Sequence, residues 1–182
     1  RIKETLDAGT YYIKVKRKGG NSNYKLRSTF RDASQSASIP PVNPQSTSGD
    51  GADFINQVLT LTNDERQKAN LPALTLNQNL SRAAQIQSED LGDNDFFAHT
   101  SPTGTTLADR LKSGGYNRYA TAGENIAAGQ LTAQQVVDEW MASPGHRANI
   151  LDEDFTELGV GYYFLANDTG DVNYNHYWTQ TF

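Results

Sequence analysis

The spacing of apolar residues changes once along this chain, and that change limits the folds open to it. From Phe54 onward the spacing is helical: Phe54, Val58 and Leu61 recur at i, i+4 and i+7, with Ile55 and Leu59 beside them. This predicts a helix from about Ala52 to Ala69, with Pro72 just beyond its end. Further helices are predicted over about Leu80–Leu91, Thr106–Ser113 (ended by Gly114-Gly115) and Ala133–Ala142. The last of these starts with capping-box spacing at Thr132 and Gln135, and Pro144-Gly145 is expected to end it. Beyond Leu158 the pattern becomes that of strands. Leu158–Phe164 and His176–Phe182 are rich in aromatic and β-branched residues, with an Asn/Asp/Gly turn region between them. Helices first and strands last predict an α+β layer architecture.

The segments before Ala52 read differently. Tyr11, Ile13 and Val15 alternate with Lys14, Lys16 and Lys18, and Tyr24, Leu26, Ser28 and Phe30 alternate with basic residues and Thr29. Gly19-Gly20-Asn21-Ser22-Asn23 lies between them, so residues 1–32 read as a β-hairpin. Residues 33–51 are rich in Ser, Gln, Pro and Gly and read as an extended linker. The run Leu6–Val15 with Tyr24-Lys25-Leu26 resembles the last strands of a bacterial pre-peptidase C-terminal domain. An Arg at position 1 suggests a piece of a longer precursor.

Charge and composition exclude several functions. Residues 1–32 carry a net charge of +6, whereas residues 33–182 carry seven Lys/Arg and eighteen Asp/Glu, a net of −11. An acidic body argues against nucleic acid as a partner, and the basic start reads as the solvated face of the hairpin. The chain has no cysteine, which removes disulfides, thiolate metal sites and cysteine nucleophiles. No apolar run is long enough to span a membrane. Nucleophile-elbow, H-E-x-x-H, phosphate-loop and dinucleotide patterns are missing.

The candidate chemistry rests on His99, His146 and Glu124. Each histidine stands among small or aromatic residues, where imidazole serves either as a hydrogen-bonded structural group or as a ligand. Glu124 lies among small and apolar neighbours, so its carboxylate needs a partner if buried. It could satisfy loop amides, act as a general base or orient a histidine. Ser101 and Ser143 are weaker candidates as nucleophiles.

Four segments occur here in a telling order: Phe97–Pro102, Gly123-Glu124-Asn125-Ile126, Trp140–Leu151 and Gly159-Val160-Gly161. With Thr62–Arg66 and Tyr177–Phe182, they resemble the bacterial branch of the CAP superfamily, over residues 52–182. The resemblance implies a three-layer α-β-α sandwich around a central antiparallel sheet. It also implies a cavity lined by two His and two acidic residues, where a divalent metal such as zinc can sit. His99 and His146 then match the two metal-binding histidines, and Glu124 one of the acids. Ser143 stands where many relatives have the second acid; Asp138 and Glu139 are out of register, and Glu139 is expected to face solvent. His176 resembles a family segment superficially but follows the Gly-Val-Gly strand, so the role falls to His146. The family implies a secreted or envelope-bound module that binds a lipid, peptide or cell-surface ligand. The alternative is a metal-assisted peptidase with Glu124 as base beside His99 and His146.

Overall fold

The structure, a computed structural model, describes residues 50–182. The hairpin expected at residues 1–32 and nearly all of the linker expected at 33–51 lie outside the described residues. Nine elements follow: α1 (Asp50–Lys68), β1 (Thr75–Leu76), α2 (Gln78–Asp93), α3 (Leu107–Gly114), β2 (Glu124–Ala128), α4 (Ala133–Ala142), α5 (Pro144–Ile150), β3 (Glu157–Phe164) and β4 (His176–Thr181).

Local chemistry sets the helix ends. Asn77 caps α2 by accepting from the Asn79 and Leu80 amides. Thr106 and Asp109 form a reciprocal capping box on α3, and Gly115, at φ 89°, ends it in the left-handed region. On α4 the expected Thr132/Gln135 box is half formed. Thr132 accepts from the Gln135 amide, but Gln135 Oε1 accepts from Leu131 N, one residue further back. Pro144-Gly145 does more than end α4. Ser143 is extended, and Pro144 opens α5 at the first helical position, where its lack of an N–H costs nothing.

The strands form one sheet in the order β1-β3-β4-β2. β3 and β2 each pair antiparallel with β4, which lies between them, as expected of an antiparallel sheet. The two-residue β1 runs parallel to β3 and makes the sheet mixed. Two strands were not expected from the sequence, β1 and β2. β2 is Glu-Asn-Ile-Ala-Ala, a composition with little strand propensity, and pairing with β4 holds it extended.

Helices cover both faces, giving the α-β-α sandwich. On one face Leu158, Val160, Trp178 and Phe182 pack with Val58 of α1, Val136 and Trp140 of α4 and Ile150 of α5. On the other, Ile126 and Tyr177 meet Leu91, while Leu80 and Ala83 of α2 meet Leu111 of α3. Gly159 and Gly161 let α2 lie directly on β3: a Cβ at either position would fall within the backbone of Leu80 or Ala84. Arg66 ties the α1 face to the loop after α5. Its buried guanidinium donates to the carbonyls of Pro72, Ile150, Asp152 and Phe155.

Candidate functional site

Three elements deliver one buried charge cluster. Glu124 opens β2 opposite Thr181, Arg110 comes from α3, and His99 lies in the turn region after α2. Arg110 Nη2 donates to Glu124 Oε1 at 2.9 Å and Oε2 at 2.8 Å, and to the His99 carbonyl at 3.0 Å. His99 Nδ1 lies 2.9 Å from Glu124 Oε1. The Glu124 side chain is 3% exposed and that of Arg110 is 0% exposed, so each compensates a charge too costly to bury alone. The His99 side chain is 57% exposed. With a carboxylate accepting from Nδ1–H, the neutral ring keeps Nε2 as its unprotonated nitrogen.

His146 belongs to α5 and lines a cavity of about 340 Å³ with Phe97, Trp140, Ser143, Glu139 and Tyr174. Burial pushes the His146 pKa down, and positive charge on His99 adds to the shift, so the two imidazoles share one electrostatic site. A chain of amides fixes α5 against β2. Asn149 Nδ2 donates to the Glu124 carbonyl (3.3 Å) and to Asn125 Oδ1 (2.8 Å). Asn125 Nδ2 donates to the His146 carbonyl (3.1 Å) and to Gln180 Oε1 (3.0 Å). The Asn residues of the Gly-Glu-Asn-Ile and Gly-His-Arg-Ala-Asn segments thus hold the two imidazole-bearing regions in place.

His99 and Glu124 therefore meet directly, while His146 lines the cavity and is linked to His99 through charge. Ser143 also reaches the cavity, and its side chain makes no capping bond to α5. Ser101 is buried; its hydroxyl pairs with Thr103 and accepts from the Thr105 amide, which makes it a loop fastener. His176 is not among the residues lining the cavity. Its Nδ1 lies 2.8 Å from the Tyr162 hydroxyl, and its ring packs on Phe164. Glu139 is exposed, as expected, and it also lines the cavity, where Gln130 Nε2 donates to its carboxylate at 2.5 Å. The 100° step from Trp140 carries Glu139 to the rim of the groove. Arg110 was missed. It lies three residues after Leu107 and directly before Leu111, a charged residue on an apolar stripe, and that placement was the available signal.

The donor set does not fit a resident zinc ion. Among the described residues no group of three or more His, Cys, Asp or Glu is arranged to hold a metal. Both oxygens of Glu124 face Arg110, and one also faces His99, which leaves two imidazoles where zinc sites use three or four protein ligands.

The burial of the histidines carries a pH dependence. His146 and His176 both have pKa values lowered by burial, so folding favours their neutral forms. The unfolded chain, with ordinary values near 6.5, binds the proton more readily. Their contribution is complete above about pH 6.5 and is lost as pH falls through the lower folded values. The thermal midpoint should fall between pH 7 and pH 5, and His176→Gln should make that fall shallower. An equal slope in the variant would contradict the assignment.

Residues 59–182 match the model of the cysteine-rich secretory protein family, CAP. The chain belongs to this family, though it has no cysteine. It is 46% identical over 129 residues to the Bacillus subtilis protein YkwD, covering 71% of this chain and 46% of that protein. It resembles the structure of an extracellular protein containing an SCP domain from Bacillus anthracis, with TM-score 0.65 and 36% identity, covering 79% of this chain and 44% of that one. An outer surface protein of Borrelia burgdorferi shares the fold at TM-score 0.60 and 23% identity, covering 70% of this chain and 89% of that one. The chain spans less than half the length of the two Bacillus proteins.

Proposed function

We propose that the domain is a binding module that works outside the cell or on its envelope and takes its ligand in the cavity beside His99 and His146. The observation that carries this reading is the state of Glu124. Both of its oxygens are engaged by Arg110 and one also by His99, so the carboxylate is not free to act as a base on a ligand. The cavity is lined by aromatic, aliphatic and a few polar groups, the usual make-up of a ligand site. An extracellular setting is supported by the Bacillus anthracis relative, and no described helix is long and apolar enough to cross a membrane. A lipid, a peptide and a cell-surface component are the ligand classes to test.

One observation favours hydrolysis as a second reading. A carboxylate accepting from Nδ1–H is the arrangement that readies imidazole Nε2 as a general base. His99 would then be the base, with Glu124 as its orienting residue.

The experiment is equilibrium binding of the full chain to panels of lipids, peptides and bacterial wall fragments, beside Ser143→Trp, which fills the cavity from its rim. The expected result is a ligand that binds the native chain and is lost in the variant, with an unchanged circular dichroism spectrum. Binding that survives Ser143→Trp would place the ligand elsewhere. Turnover of a bound peptide, abolished by His99→Gln, would select the hydrolase.

A further inference from the structure

β2 is an edge strand, paired on one side only among the described residues. Gly123 and Phe182 exchange both main-chain hydrogen bonds, at 3.2 and 2.9 Å, and Gly129 N donates to the His176 carbonyl at 2.8 Å. The alternation of an antiparallel pair then directs the main-chain groups of Asn125 and Ala127 toward β4. Those of Glu124, Ile126 and Ala128 point away from it. Two outward carbonyls are taken: Asn149 Nδ2 donates to that of Glu124, and Trp140 Nε1 to that of Ile126, each at 3.3 Å. The Ile126 N–H and both main-chain groups of Ala128 have no partner among the described residues. Ile126 is 5% exposed, and Ile126, Ala127 and Ala128 all line the cavity. An unpaired N–H on buried Ile126 is costly, and the groups of half-buried Ala128 stand open to the cavity, so a ligand can pair all three.

These groups recur every second residue, about 6.8 Å apart along a strand. An acyl chain or a sterol ring system has nothing to pair with them. An extended polypeptide has N–H and C=O groups at the same spacing. We propose that the cavity takes an extended peptide segment, which adds as a strand to the outer edge of β2 at Ile126–Ala128. The proposal rests on the binding reading above and names the class of ligand. Trp140 and Asn149 close the edge toward Glu124, so pairing is confined to the Ile126–Ala128 end. Phe97 and Tyr174, both exposed with ring centroids 6.3 Å apart, supply apolar contacts for alternate side chains. Charge selects among peptides: Glu139 lies on the cavity, and residues 33–182 carry a net of −11, so a segment with lysine or arginine is favoured.

The test uses the full 182-residue chain, labelled with ¹⁵N. It is titrated with capped heptapeptides that alternate Lys with Val, Thr or Tyr, and separately with a monomeric lysophospholipid. Saturable shifts of the Ile126 and Ala128 amides on adding peptide are expected. Methylating alternate peptide amides should weaken binding by roughly tenfold in one register and leave it unchanged in the other. Ala128→Pro, which removes an outward donor and leaves the β4 ladder intact, should weaken binding likewise. Peptides that leave these amides unmoved, or equal affinity for both methylated registers, would overturn the proposal. If the lysophospholipid alone shifts cavity residues, strand addition fails and the binding reading survives. If neither probe shifts them, both fail.

Discussion

Arg110→Met is expected to destabilise the domain by roughly 3–5 kcal/mol, the cost of leaving a buried carboxylate without its counter-charge. Glu124 is 3% exposed, and Arg110 Nη2 reaches both of its oxygens. Without the guanidinium, Glu124 must either stay charged in a poor dielectric or take up a proton. The His99 carbonyl and the Thr105 carbonyl also lose their donor. Adding Glu124→Gln to Arg110→Met should recover part of the loss, since the double variant buries no unpaired charge. Urea unfolding of the two single variants and the double variant measures this directly. Additive losses would mean that Arg110 and Glu124 stabilise the fold independently.

Gly161→Val is expected to cost at least about 4 kcal/mol, most of the stability of a domain at the low end of the ordinary range. The clash is with helix backbone: a Cβ at Gly161 meets Ala84 carbonyl and Gln85 amide atoms, and no side-chain rotation relieves it. Separating α2 from β3 would open the face that carries Leu80, Ala83, Leu91 and Tyr177. Gly145→Val is the control, because nothing lies within 4 Å of that position. Far-ultraviolet circular dichroism and thermal melts of the two variants should differ sharply. Similar melting of both would show that α2 can move off the sheet without loss.

The helices and the two long strands were legible because their apolar residues keep a period over many positions. β2 was not, since Glu-Asn-Ile-Ala-Ala has no such period and becomes a strand only through its partner β4. Within the site, His99, His146 and Glu124 could be named from the ordered segments that carry them. What the three do to one another could not. That Glu124 is turned to Arg110 depends on α3 packing on α2, which brings Arg110 to a residue 14 positions away, and no local spacing encodes that. Glu139 shows the same limit. Its helical phase relative to Trp140 and its exposure were read correctly, but the cavity that it lines is built from other elements and could not be. The resemblance implies a metal, whereas the structure turns both oxygens of Glu124 to Arg110, an arrangement that no local sequence pattern encodes.

The central claim is that Glu124 is an orienting group that holds His99 with Nε2 free beside the His146 cavity. The most direct measurement is the tautomer of His99, from ¹⁵N shifts of its imidazole at a pH where the ring is neutral. Free imidazole side chains favour the Nε2–H form. The account predicts Nδ1–H for His99, with Nε2 unprotonated, and a return toward Nε2–H when Glu124 is exchanged for Leu in the Arg110→Met background, which leaves Nδ1 without this acceptor. A neutral His99 protonated at Nε2 in the native chain would contradict it, because Glu124 would then not be the group that positions the ring.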